Sequence, residues 1–227
     1  MTMIEVHHLE HSRSQRIIWL LEELGLPYKV TRYARDAKTY LAPPELLKIH
    51  PLGKSPVITD GDITVAESGA IVEYLIDKAG GKFRPAAGTQ AHRDYTYWMH
   101  FAEGTAMPPL VMTLVFNKIE NAPVPALLKP IVLPIARGIS KQVKSSFINP
   151  NLEKQFAYIE SVLAKSEWFC GSEMTGADFM MSFPLEAAMS RADSINNMPK
   201  IAAYVKRIHA MPSFKKALEV GGPYNYA

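Results

Sequence analysis

The pattern of apolar and polar positions divides the chain into two parts. The first eighty residues alternate between period two and period 3.6, and beyond them only the helical period is seen. Met3-Ile4-Glu5-Val6-His7 alternates as a strand does, and Ile17, Leu20, Leu21 and Leu24 then mark one face of a helix. Ser12-x-x-Gln15 reads as a capping box and sets the helix start at Ser12. Gly25 stands where a left-handed residue ends a helix. Tyr28–Tyr33 is a second strand pattern, and strand, helix, strand with short joins predicts a parallel βαβ unit. Pro43-Pro44-Glu45-Leu46-Leu47-Lys48 reads as a short helix with proline in its first turn. Val57-Ile58-Thr59 and Ile63-Thr64-Val65 flank Asp60-Gly61, which predicts a hairpin, since glycine takes positive φ without steric cost. A helix from Glu67 to Lys78 completes the unit.

Ala79 to Gly88 holds three glycines and a proline and reads as a linker, giving expected domains of 1–80 and 89–227. No strand pattern follows it. Ala91–Thr105 is aromatic-rich at helical spacing, and Pro108-Pro109 is expected to end or kink that helix, because proline lacks the N–H and crowds the preceding turn. Pro123, Pro125, Pro130 and Pro134 interrupt an apolar segment that is expected to be a broken helix or a packed loop. Thr175-Gly176-Ala177-Asp178 is a second capping box, and Ile201, Tyr204, Val205 and Ile208 mark the last long helix.

Composition narrows the function classes. The chain has 227 residues with a net charge of +3, and its basic residues are scattered, which argues against a nucleic-acid partner. The apolar runs are short and broken by proline, so neither a membrane span nor an apolar leader after Met1 is expected. A single cysteine, Cys170, excludes an internal disulfide and suits a reducing cytoplasm.

The chemistry concentrates between Gly53 and Leu75. Ser55-Pro56 sits at the first residue of a strand, where the missing N–H is tolerated and a cis bond can sit. Such a bond would turn the backbone of Ser55 outward to pair with an extended peptide. Glu67 and Ser68 open a helix whose free N–H groups and positive dipole end favour a carboxylate, while Glu67 can take an ammonium. A ligand with an amino-acid head and a peptide middle satisfies both receptors. The stretch resembles the glutathione site of the glutathione S-transferase superfamily. Ser12–Arg16, Gly53–Val57, Glu67–Ser68, Trp168–Gly171 and Thr175–Asp178 all occur in that superfamily's order. The resemblance implies an α/β thioredoxin-like N-terminal domain plus an all-α C-terminal domain, and a cytoplasmic homodimer. Among subgroups the chain is most similar to bacterial and fungal transferases whose first helix begins Ser-Arg-Ser-x-Arg.

The resemblance also assigns roles. Conjugation requires a thiolate, yet a free thiol with a pKa of about 8.5 is ionised to only a few per cent at neutral pH. Lowering that pKa by two units takes about 2.7 kcal/mol. A helix N-terminus (about 0.3–2 kcal/mol) together with one bond to the anion (about 1.5–3 kcal/mol) suffices. Ser12 matches the activating hydroxyl of serine-type members, although as a cap of the first helix it would use the same hydroxyl; Ser14 is the alternative. Arg13 and Arg16 can add positive field, although Arg16 reads more readily as a structural ion-pair partner. Lys54, Ser55, Pro56, Glu67 and Ser68 would hold glutathione, with Lys54 either reaching the glycine carboxylate or simply solvated. Tyr97, His100, Phe101, Glu103 and Met107 are candidates for the pocket of a small hydrophobic electrophile, though aromatics and methionine at such spacing more often mark core. No cysteine precedes Cys170 and no tyrosine stands near the first strand's end, which argues against the cysteine- and tyrosine-type branches. His7 and His8 point to opposite strand faces, so no metal is expected. Peroxide reduction at the same site, and a non-catalytic binding module, are the alternatives.

Overall fold

A computed structural model describes residues 3–190 and 197–226; Met1, on which the reading of a missing leader rests, lies outside them. β1 (Ile4–Leu9), α1 (Gln15–Leu24) and β2 (Tyr28–Tyr33) form the parallel βαβ unit, with Val6 level with Val30. β3 (Val57–Asp60) and β4 (Ile63–Ala66) are the expected hairpin, turning at Gly61 with φ 60°. β3 lies antiparallel to β1, so the sheet order is β2-β1-β3-β4. The period-two alternation in β1 sends His7 to Tyr33 and Thr59 on one face and His8 to Ser14 on the other. Pro44–Lys48 is a 3₁₀ turn, and α2 (Ser68–Lys78) follows β4.

The start of α1 differs from the expectation. The helix begins at Gln15, three residues after Ser12, and no capping box forms there. The Ser12 hydroxyl is taken instead by the backbone N–H of Ser14 at 3.2 Å and by the Ser14 hydroxyl at 2.7 Å. Gln15 reaches only the Ser12 carbonyl with its N–H, and its side-chain amide is buried without a hydrogen bond. Residues 10–14 are thus an irregular double turn between strand and helix. The far end of α1 behaves as read: Gly25 has φ 66° and closes the last carbonyls.

Every described element after residue 88 is helical: α3 (Gln90–Phe101), α4 (Met107–Glu120), α5 (Lys129–Val143), α6 (Asn149–Leu163), α7 (Gly176–Met189), α8 (Pro199–Ala210) and α9 (Pro212–Gly221). Pro108-Pro109 does not end the helix that precedes it. The chain stays helical from α3 into α4 through one π turn, Ala102–Ala106. That turn bonds across five residues rather than four, which absorbs the register change the two prolines impose in the first turn of α4. The proline-rich segment resolves into a short loop holding Pro123 and Pro125, then α5 with Pro130 in its first turn and Pro134 inside.

α1 joins the two halves. Trp19 packs its ring 4.3 Å from Phe179 of α7 and 5.6 Å from Phe214 of α9. α7 is itself anchored by Asp178, whose carboxylate accepts the Thr175 and Phe169 N–H groups and the Tyr204 hydroxyl at 2.8–3.1 Å. This is the predicted cap with two further donors. Its buried carboxyl is pushed up to about 6 by loss of water, against the pull of those donors. The loop carrying Ser12 is therefore attached to a helix fixed on both sides.

Candidate active site

Ser55 organises the corner between β1 and β3. Its hydroxyl donates to the His7 carbonyl at 2.8 Å and accepts the Leu9 N–H at 3.2 Å, which ties the corner to the last turn of β1. With the side chain so occupied, any ligand contact falls to the backbone of Ser55. The Ser55-Pro56 bond is cis. One hairpin later, Glu67 sits at φ 73°, a left-handed conformation unusual outside glycine, and turns the chain into α2. The strained residue keeps its own side chain exposed and sets Ser68, which is buried, at the first position of the helix.

These pieces face one cavity of about 240 Å³. Lys54, Ser55, Pro56, Glu67 and Ser68 all line it, so the five residues read as the glutathione receptor are brought together. Arg13 and Glu103 close its other side, and His50 and Leu52 add to the rim. His50 and Leu52 went unread because nothing in the local pattern after Lys48 points them toward Pro56. A larger hollow of about 590 Å³ lies elsewhere, between Lys82–Pro85 and Trp168–Thr175. Its Arg84 is already held by Glu73 and Asp77, which leaves that hollow a weaker anion receptor.

Ser12 stands one residue before Arg13. It is 6% exposed, whereas Ser14 is fully enclosed. The Ser14 hydroxyl is surrounded by Ser12 at 2.7 Å, His8 Nδ1 at 2.7 Å and the Leu9 carbonyl at 3.3 Å. His8 is held well toward the neutral form, at about 4, because burial penalises its cation and Arg32 repels it. His11, with φ 51°, accepts the Asn225 N–H at 3.2 Å and so tethers the chain's last turn to this loop.

Arg13 and Arg16 converge on one carboxylate from the other half of the chain. Arg13 Nε donates to both oxygens of Glu103 at 3.0 and 3.1 Å. Arg16, wholly buried, donates to the same carboxylate and to the Met180 carbonyl at 2.7 Å. Burial alone would raise the Glu103 carboxyl; the two guanidinium groups outweigh it and hold it below the ordinary range.

The five electrophile-pocket candidates separate. Glu103 lines the cavity. Tyr97 and Phe101 enter an aromatic cluster with Trp98 and with Tyr158 of α6. His100 is exposed on α3 and Met107 is buried at the start of α4. Cys170 accepts from the Thr175 hydroxyl at 3.4 Å, and burial pushes its thiol up to about 12. Among the described residues, no three His, Cys, Asp or Glu side chains are grouped to hold a metal ion.

Comparison with known proteins follows the same lines. The model of the glutathione S-transferase N-terminal domain matches residues 1–77, and that of the glutathione S-transferase C-terminal domain matches residues 134–220. Glutathione S-transferase 3 of Schizosaccharomyces pombe is 36% identical over 219 residues, spanning 96% of this chain and 87% of that protein. A glutathione S-transferase structure from Actinobacillus pleuropneumoniae superposes with a TM-score of 0.78 at 32% identity, covering 99% of this chain and 95% of that one. A glutathione transferase of Phanerochaete chrysosporium, solved with oxidised glutathione, shares the fold with a TM-score of 0.74 at 23% identity, over 97% and 96% of the two chains.

Proposed function

The chain belongs to the glutathione S-transferase family as an enzyme of that class, and on that premise we propose how it works. Glutathione lies along the Ser55-Pro56 corner, its thiol is ionised beside Ser12, and the sulfur is transferred to a small hydrophobic electrophile. The observation that carries this reading is the single cavity that gathers a cis-proline corner, the Glu67–Ser68 helix start and Lys54. The γ-glutamyl carboxylate meets the first N–H groups of α2 and the Ser68 hydroxyl, and Glu67 takes the ammonium. The cysteinyl unit pairs with the backbone of Ser55, and Lys54 takes the glycine carboxylate. In the reaction the thiol proton leaves to solvent, the thiolate lone pair forms the new bond to the electron-poor carbon of a polarised double bond, and the π pair displaced from that carbon moves onto the activating group and takes up a proton from solvent. The Phanerochaete chrysosporium transferase of the same fold, solved with oxidised glutathione, supports the tripeptide part of this reading.

Two further elements belong to the proposal. The protein is a homodimer, and the exposed apolar side chains Val111 and Val115 of α4 and Ile131, Ile135 and Ile139 of α5 are the surface a second copy would cover. Replacing Ile135 and Ile139 together by Glu should convert the species seen by sedimentation to a monomer. The setting is cytosolic; no helix among the described residues is long and apolar enough to cross a membrane.

The test of the chemistry is Ser12→Ala. The ultraviolet absorbance of the bound thiolate, titrated against pH, should show the thiol pKa rising by about one to two units, the equivalent of one lost bond to an anion. An unchanged thiol pKa with full conjugation activity would remove Ser12 from the mechanism.

A further inference from the structure

The loop after β2 brings two cations to one aromatic ring. The Asp36 N–H donates to the Leu41 carbonyl at 3.0 Å and the Tyr40 N–H to the Asp36 carbonyl at 2.8 Å, which closes residues 36–41 into a tight turn. Within it Tyr40 sits at φ 64°, a left-handed conformation that is costly for a residue with a side chain, and it stays exposed. The Arg35 guanidinium carbon lies 5.5 Å from the centre of the Tyr40 ring. The Lys118 amine, on α4 in the other half of the chain, lies 5.6 Å from the same centre.

A cation beside a ring in water gains little and keeps its charge. Among the described residues, neither cation has a carboxylate within ion-pair distance. The two acidic groups of this loop are committed to backbone: Glu10 Oε1 accepts the Arg35 N–H at 2.7 Å, and Asp36 Oδ1 accepts the N–H groups of Lys38 and Thr39 at 3.1 and 2.7 Å. Arg35 is fixed in place all the same. Its Nε donates to the Glu10 carbonyl and its Nη1 to the Tyr40 carbonyl, both at 3.1 Å. That leaves Nη2 with two N–H groups and no acceptor among the described residues. A guanidinium held still with one edge uncommitted is a receptor for an oxyanion.

The Glu10 carbonyl that Arg35 holds lies two residues before Ser12, so this receptor stands beside the place assigned above to the sulfur. Apolar surface adjoins it: Leu41 follows the ring and Leu114 lies one turn before Lys118 on α4, both exposed. Resting on the assignment of the sulfur to Ser12, we propose that the electrophile carries an anionic group. It is a conjugated enone with a carboxylate at its far end, whose apolar body lies between Tyr40 and Leu114 while Arg35 and Lys118 take the carboxylate. Lys118 turns from the ring to the anion on its flexible stem. Neither cation exchanges a proton, and the addition to the double bond is the step already given.

Para-carboxybenzylideneacetone and its methyl ester, compared at saturating glutathione and each scaled to its uncatalysed rate, test this. The parent protein should favour the acid by about tenfold in kcat/KM, and added salt should narrow that preference. Lys118→Met and Arg35→Met should each lower kcat/KM for the acid by about three- to tenfold, chiefly through KM, and leave the ester within about twofold. Lys118→Glu should turn the preference toward the ester. Lys118 is exposed on a helix, so its variants decide the matter even where Arg35→Met disturbs the loop. Equal use of acid and ester by the parent overturns the proposal. So does a matching loss of S-methylglutathione affinity in Lys118→Met, which would give the cations to the tripeptide. Failure to conjugate either compound while the bound thiol is ionised also overturns it; a bound thiol that is not ionised would instead fail the assignment of Ser12.

Discussion

Replacing Glu103 by Gln should loosen the joint between the two halves of the molecule. Arg16 of α1 is fully buried, and Glu103, in the π turn after α3, is its only carboxylate partner among the described contacts. Breaking a fully buried ion pair costs about 3–5 kcal/mol, because one charge is left without compensation. Two features of this pair reduce that figure. The Glu103 side chain is one-third exposed, and Arg16 keeps the Met180 carbonyl. The expected loss is therefore about 2 kcal/mol, between the buried and exposed limits. For a chain of this length that is about 4–8 °C in Tm. Arg16→Met removes the charge together with its need for a partner, so adding Glu103→Gln to it should cost little more. A double-mutant cycle followed by thermal and urea unfolding should give a coupling of about 1–2 kcal/mol. The pH dependence has a definite sign. The Glu103 carboxyl is held below its ordinary value near 4.5, so its contribution is complete above that pH and is lost as pH falls through the lower folded value. The Tm gap between parent and Glu103→Gln should close in acid. A shift under about 1 °C at neutral pH, or strict additivity in the cycle, would refute the clamp.

The remaining expectations concern the ligand and the second capping site. Ser68→Ala should weaken glutathione binding by about tenfold or more in calorimetry, while leaving the pKa of the bound thiol where it was, because Ser68 meets the head group and not the sulfur. Asp178 has its carboxyl raised from 3.8 to about 6, so the folded state holds that proton longer than the unfolded chain does. Stability from this group is therefore greatest in acid and falls as pH rises from about 4 to about 6, by at most about 3 kcal/mol. Asp178→Asn should lack that slope, and denaturant titrations across the window read it directly.

Local chemistry made most of the first half legible before any coordinates. Asp60-Gly61 between β-branched runs, Gly25 after an apolar face, and Glu67-Ser68 before Ile71 each state their geometry within four or five residues. The Ser12-x-x-Gln15 pattern misled because a capping box is a local rule, and the hydroxyl it needs was claimed by Ser14, whose own partner, His8, lies on the preceding strand. The prolines at 108 and 109 marked the interruption of the α-helical pattern but not its form: the chain passes through a π turn ahead of them, and no residue pattern announces one. Helical spacing put Tyr97, Phe101 and Glu103 on one list, yet it does not say what each face meets. The first two meet Tyr158 of α6, and the third meets Arg13 and Arg16 some ninety positions away. Contacts of that range are made by packing, and they are where reading the chain alone stops.

The central claim is that glutathione runs along the Ser55-Pro56 corner with its sulfur at the first turn before α1. A crystal of the protein soaked in reduced glutathione tests it most directly. The account predicts the cysteinyl backbone paired with Ser55, the γ-glutamyl carboxylate at Ser68, and the sulfur within about 3.5 Å of the Ser12 hydroxyl. Glutathione bound elsewhere, or bound at the corner with its sulfur turned away from Ser12, would contradict it.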